Sequence, residues 1–312
     1  MKVRPFEWRD LPILHRHRHH SIFLDNALVL TRGSLLVPGA LLSYLAPTMG
    51  VFTCVSNGGS QEDPLLIGQA IHTQGSQCAH LTFLTPEAAL RPPMVSGLLE
   101  YLVILSGERG AQRVIADVDE QTVAFDALQG EHFVVYSRQR IWKFHDHPEM
   151  ESKPSSWRTA MSMDSIAIRS LYNNLVPGLV QQVEPYAAYS PQGLVLYQGA
   201  ELFAYVELKF GLRGIWAKPF VHPGAEGVPA HFQSLLHKIP TRFSRPVYIC
   251  VRSYQSWLES ALEELGAEAG PRQALMGRHM AIVQKAEIRN ATSALDRGHA
   301  EATSPITRLK SN

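Results

Sequence analysis

Charge is scarce in this chain, and neither sign prevails. Charged residues fill 18% of its 312 positions, below the roughly 25% of an ordinary globular chain. Lys+Arg is 29 and Asp+Glu is 28, a formal net charge of +1. That balance speaks against a strongly basic nucleic-acid binder and a polyacidic tail protein, so no nucleic-acid partner is expected. Cysteine is scarce too. Cys54, Cys78 and Cys250 are far apart, odd in number and without CxxC spacing. They fit buried thiols in a reducing compartment better than a disulfide framework, and a cytoplasmic protein is expected. No apolar run reaches about 18 residues, so no membrane span is expected. The opening MKVRPFEWRDLPIL carries charges where a signal peptide needs an apolar stretch. Apolar residues, by contrast, reach 45%, enough for a sizeable core.

Punctuation by Pro, Gly and polar residues divides the chain. The stretch 145–156 (HDHPEMESKPSS) is polar, holds two prolines and has no apolar period, which predicts a linker. The stretch 288–312 is rich in Ala, Ser, Thr and charge and reads as a flexible tail. Before the linker, Lys2 to Pro5 reads as a strand and Asp10 as the cap of a helix. Leu35–Leu45 is a second helical candidate. Val51–Val55 is a strand, and Leu65–Thr73 with Gln77–Thr85 forms a hairpin around Gln74-Gly75-Ser76. Val95, Leu98, Leu99, Leu102 and Leu105 recur at helical spacing in Pro92–Glu108. Arg113–Val118 is a short buried strand, Thr122–Leu128 a helix, and Glu131–Phe144 a closing strand.

After the linker the order repeats. Trp157–Met161 is a faint strand, and Asp164–Val183 is helical with a break at Pro177-Gly178. Gly193–Tyr197 is a strand. Glu201–Phe210 alternates, with Leu202, Ala204, Val206, Leu208 and Phe210 on one side and Glu201, Phe203, Tyr205, Glu207 and Lys209 on the other. Ile215–Val221, helical Pro229–Ile239, Pro246–Val251, helical Trp257–Leu265 and Gln273–Gln284 complete the series. The fold class is α/β (α+β in detail), with mixed sheets flanked by helices. Two modules, 1–144 and 157–287, are expected rather than one sheet of a dozen strands. In each, the helix after the hairpin starts at a strand end, where α/β sheets bind ligands.

Particular segments resemble the GNAT family, the acyl-CoA-dependent N-acetyltransferases. His80-Leu81-Thr82-Phe83-Leu84-Thr85-Pro86 is similar to that family's fourth strand with its V-x-P ending, and Val221-His222-Pro223 matches the ending outright. Leu262-Glu263-Glu264-Leu265-Gly266-Ala267 resembles the Y-E-K-x-G-F segment of its fourth helix. The resemblance covers both modules, making the chain similar to a tandem GNAT protein. It implies acetyl-CoA as co-substrate, its pantetheine arm beside Leu84 or Val221. It implies a pyrophosphate on the following helix start: Arg91 and Ser96 in the first module, or Pro223, Gly224, Ala225, Glu226, Gly227 and Val228 in the second. Glycines let backbone approach, and the helix dipole favours the anion. The family's glycine positions fall on Met94 and Ser96 in the first module, and its tyrosine on Leu128 and Leu262.

The resemblance implies transfer of an acetyl group to the primary amine of a small molecule or peptide. The alternative is a catalytically inactive tandem module that binds a ligand or partner. Glu207 is the candidate base of the second module, against a solvated carboxylate paired with Lys209 or Arg213. Tyr205 and Tyr248 are candidate proton donors, against packing roles. His80 is the candidate base of the first module. His15 and His19 have metal-ligand spacing, but Arg16 and Arg18 repel a cation, so a basic solvated face and no metal are expected. The oligomeric state is left between a two-lobed monomer and a homodimer.

Overall fold

A computed structural model describes residues 2–57, 65–144, 156–186, 191–239 and 245–280. The tail 288–312 and the linker, apart from residue 156, lie outside the described residues.

The first half runs β1 (Lys2–Pro5), α1 (Leu11–Arg16), β2 (Ile22–Phe23), α2 (Asn26–Arg32), α3 (Leu36–Leu45), β3 (Val51–Asn57), β4 (Leu66–His72), β5 (Cys78–Thr85), α4 (Met94–Glu108), β6 (Arg113–Asp119), α5 (Val123–Gly130) and β7 (Val134–Phe144). The second runs β8 (Arg158–Thr159), α6 (Ser165–Leu175), α7 (Gly178–Val183), β9 (Gly193–Gln198), β10 (Glu201–Phe210), β11 (Ile215–Val221), α8 (Val228–Lys238), β12 (Val247–Arg252), α9 (Glu259–Glu264) and β13 (Glu268–His279).

The strands join in one sheet, ordered β1-β3-β4-β5-β6-β13-β7-β12-β11-β10-β9-β8, with β2 on β5. The expectation of two separate sheets is corrected here. The last strand of the second half, β13, crosses to pair with β6 of the first, and β7 of the first half pairs with β12 of the second. β13 and β7 pair with each other antiparallel at the centre. The exchange leaves neither closing strand as an edge, and edges are what sheets must otherwise protect.

Duplication is written in small details. Arg4 grips Asp10 with two 2.7 Å bonds, and Arg158 grips Asp164 in the same way. In both copies the aspartate also accepts a backbone N–H three residues upstream, from Glu7 or Met161. After α5, Phe133 N–H donates to Leu128 O and His132 N–H to Gln129 O. After α9, Ala267 bonds Leu262 O and Gly266 bonds Glu263 O. His132 and Gly266 both take the left-handed backbone, φ +64° and +79°, and glycine does so without a Cβ penalty.

In each half the two helices that follow the hairpin cover the same core. Val95, Leu98, Leu99 and Leu102 of α4 pack with Leu128 against the first half's strands. Phe232, Leu235 and Leu236 of α8 pack with Leu258 and Leu262 against β10 to β12. Three local expectations shift. Trp257 is exposed, because Ser253–Leu258 is a 3-10 stretch and the α-helix begins only at Glu259. A bulge between Leu202 and Ala204 breaks the alternation of β10. Leu202 therefore joins Tyr205 in one cluster, and Phe203 joins Ala204 and Val206 in another. The segment carrying β2 and α2 has no expected counterpart. All three cysteines are free and buried.

Candidate functional site

Among the described residues each half has one pair of parallel neighbours, and each pair parts. β5 and β6 pair only from Cys78–Arg113 to His80–Ile115. β11 and β12 pair only from Ile215–Val247 to Ala217–Ile249. Past those points the strand edges need other partners, since buried backbone polar groups are costly to leave unpaired.

In the first half the chain supplies them itself. β2 lays Ile22 and Phe23 against Leu84 and Phe83. Leu24 then stitches both sides: its N–H donates to Thr82 O at 2.9 Å, and its carbonyl accepts from Asp117 N–H at 2.8 Å. The Leu24 side chain, 1% exposed, belongs to the main first-half core. Leu84, expected to face an acyl donor, is thus paired on both edges, with Gly68 and Ile22. The start of α4 is also closed. Arg91 O accepts from both Met94 and Val95, and Ser96 Oγ donates to Glu131 at 2.5 Å. His80 stands half exposed, 3.9 Å from Asp25. Nearby Asp117 is pushed up to about 6 by its burial and by Asp25.

In the second half a single side chain does the stitching. Gln255, 0% exposed, accepts from Val221 N–H and donates to Pro219 O, both at 2.9 Å. Ile215 and Val221 turn their N–H groups toward this gap, while His222 turns to Phe203 O on the other side. Odd-numbered positions of β11 therefore face the gap. Pro219 is one of them and has no N–H to give.

The loop before α8 keeps its turn on His222, whose carbonyl accepts from Ala225 and whose Nδ1 accepts from Gly224. Pro223 lies at its start. Gly227 caps α8 at φ +64°, and no side chain caps the helix. The first turn holds no acidic residue, and Glu226 precedes it. A small hollow of about 10 Å³ between Val221, Val228, Phe203 and Trp157 lies behind this turn.

Other expected residues scatter. Tyr205 is buried, stacks on Phe220 and donates to Gln192 O; burial pushes its hydroxyl up. Tyr248 lies within the paired part of the strands, opposite Trp216. Glu207 is partly buried, 3.7 Å from exposed Lys209 and in register with Lys218. Glu207 lies in register with Lys218, the first residue of β11 past the paired stretch, whereas Tyr205 is committed elsewhere and Tyr248 lies below the point of parting.

Sequence reasoning missed the charged group at the same opening. Glu184 accepts from Arg252 Nη2 on both oxygens, from Lys218 Nζ at 2.9 Å and from Tyr136 O–H at 2.5 Å. Burial opposes its charge, yet Arg252 and Lys218 hold its carboxyl well below the usual range. The available signal was an arginine, a tyrosine and a glutamine clustered directly after an apolar strand. In the histidine cluster Arg18 bonds both His15 and His19. Among the described residues no group of three His, Cys, Asp or Glu is placed to hold a metal ion. Among them, too, no single helix is long and apolar enough to cross a membrane.

Parallel strands that part before a helix start, twice in one chain, are the decisive geometry. The chain has the GNAT fold. It superposes on a GCN5-related N-acetyltransferase from Sphaerobacter thermophilus with a TM-score of 0.50, at 12% identity, covering 89% of this chain and 95% of that one. A tandem GNAT protein from the clavulanic acid biosynthesis pathway matches with a TM-score of 0.49 at 13% identity, covering 89% and 98%. A GNAT acetyltransferase from Colwellia psychrerythraea matches with 0.44 at 12% identity, covering 90% and 100%. No protein-family model matches the sequence, and no curated protein does. The likeness is therefore one of fold.

Proposed function

We propose that this GNAT-fold chain is an N-acetyltransferase that works through its second half alone, moving an acetyl group from acetyl-CoA to a primary amine. The carrying observation is the kind of stitch at each opening. Gln255 offers one donor and one acceptor, the same pair that a secondary amide of a pantetheine arm presents. Exchanging one amide for the other conserves hydrogen bonds, so its net cost is small. Opening the first half means withdrawing Leu24 from the core, a loss of about 2–5 kcal/mol.

The amine's lone pair attacks the thioester carbonyl carbon. The C–N bond forms, the C–S bond breaks, and the thiolate leaves with the sulfur electron pair. The proton lost by the amine goes to Glu207, whose pairing with Lys209 is weak because both are solvated. The thiolate takes a proton from solvent, and Glu207 returns to solvent the proton it gained. In this reading Val221, Pro223, Gly224, Ala225, Gly227 and Val228 form the donor side, and Arg91, Ser96 and Leu84 take no part.

A second reading, a binding module without catalysis, draws on Pro219. The gap edge lacks an N–H there to polarise the thioester carbonyl, and Leu262 stands where the resemblance expects a tyrosine. Calorimetry on the full chain with acetyl-CoA, followed by thiol release with amine acceptors, separates the readings. One site per chain and amine-dependent thiol release are expected. Binding without release favours the second reading, and no heat at high micromolar acetyl-CoA ends the first.

A further inference from the structure

At the second opening the chain buries more hydrogen-bond donors than it supplies acceptors for. Arg252 is 6% exposed and spends Nη2 on Glu184. Its Nε and Nη1 are shut off from solvent and meet no acceptor. The Tyr254 hydroxyl, two residues on and within the field of Arg252, also lacks a partner. So does the hydroxyl of Tyr186, whose ring packs on Tyr172 at 5.5 Å. Tyr186 and Tyr254 are partly buried, and their hydroxyl oxygens are shut off from solvent.

The acceptors nearby are already used. Glu184 takes Arg252, Lys218 and Tyr136 on its carboxylate, and its main-chain oxygen takes the Tyr172 hydroxyl. Glu184 and the buried Asp117 both lie in the field of Arg252, so the charges of Arg252 and Lys218 are met, but the Arg252 and tyrosine donors are not. Unmet donors with no acceptor of their own select an acceptor-only group. A carboxylate, with two oxygens and about four lone-pair sites, suits such a set.

We infer that Arg252 and Tyr254 hold the carboxylate of an amino-acid-like acceptor whose amine faces the β11–β12 opening. Lys218 is the first residue of β11 past the last pair, and Arg252 lies three residues past it on β12, so both stand on the parted stretch of those strands. Glu207, in register with Lys218, stands on the amine side. The amine's role rests on the transferase reading; the carboxylate's does not.

The test is thermal shift of the full chain with each of the twenty L-amino acids and with each matching primary amide. Inorganic phosphate forms a separate arm. At least one amino acid is expected to raise Tm, and its amide is not. Tyr254→Phe is expected to weaken that amino acid about tenfold without lowering the Tm of the free protein, since the hydroxyl has no partner to lose. Arg252→Gln removes both unmet donors but also strips Glu184 of its arginine partner, so Tyr254→Phe is the deciding variant. The inference is overturned if acids and amides act alike, if no amino acid acts, or if phosphate alone stabilises. It is also overturned if Tyr254→Phe lowers the Tm of the free protein. Stabilisation by an amino acid in a chain that ignores acetyl-CoA removes the transferase reading and leaves this one. Equal thiol release with acid and amide does the reverse.

Discussion

The two halves share an architecture down to single contacts, yet they close the same opening by different means. In the first, three backbone groups of the segment 22–24 are woven between β5 and β6, and Leu24 is anchored in the core. In the second, one glutamine side chain bridges Pro219 and Val221. A side chain swings aside by rotation about its own bonds; a woven segment moves only with the chain on both sides of it. Here that chain includes α2, whose Ala27 and Leu30 pack on Trp216 and Ile141. The first half's plug is thereby tied to the second half's sheet. Duplication has left one opening closed by a woven segment and the other by a single side chain.

The largest expected effect tests the plug. Leu24→Asp puts a carboxylate into the first core and should cost about 4 kcal/mol or more, seen as failure to fold or a steep fall in Tm. Gln255→Ala should cost about 2 kcal/mol or more, at about 1–3 kcal/mol for each of the two buried backbone groups it leaves. It should also tighten acetyl-CoA by removing the competing amide, as calorimetry would show. Equal costs for the two variants would break the contrast between the halves.

Next come the duplicated pairs. Asp10→Ala and Asp164→Ala should each lose about 2 kcal/mol in denaturant unfolding, because each takes two bonds from an arginine and one from a backbone N–H, with the Tyr197 hydroxyl also losing its acceptor in Asp164→Ala. A difference above about 1 kcal/mol would show that the copies no longer carry equal load.

Asp117 has no charged equivalent in the second half, and it gives pH dependence a sign. Its folded pKa near 6 exceeds the unfolded value near 4, so the native state holds the proton more tightly. Its contribution favours folding below about pH 4 and is lost as pH rises toward 6, on the order of 3 kcal/mol. Asp117→Asn should remove that fall from a pH series of unfolding curves. Glu184 acts in the opposite sense: held low by Arg252 and Lys218 against its burial, it stabilises above its unfolded range, and the gain fades as acid is added.

The smallest effect concerns the paired turns. His132→Gly should gain roughly 0.5–1 kcal/mol by relieving the left-handed backbone that Gly266 adopts freely. Gly266→His should lose a similar amount.

Local patterns were legible wherever one residue's period decided the outcome. The apolar spacing of α4, the hairpin around Gly75 and the buried run of β6 follow from side-chain chemistry alone. The strand exchange was not legible, because β7 and β13 carry the same pattern whichever strand they pair with. The plug was hidden for another reason: Ile22 and Phe23 form only two residues of strand, too short for any period. At the site, Glu207 was legible as a carboxylate on an alternating strand, but the bulge that sorts Leu202 from Phe203 was not. Gln255 reads as an ordinary polar residue until the fold sets it against two backbone groups of β11. The R-x5-D spacing of Arg4–Asp10 and Arg158–Asp164 was in plain view and would have marked the duplication directly.

The central claim is that only the second half receives an acyl donor. Amide hydrogen exchange of the full chain, with and without saturating acetyl-CoA, tests it most directly. Added protection should fall within 215–230 and 247–258, with 78–96 unchanged. Protection appearing over 78–96, or over neither stretch, would contradict it.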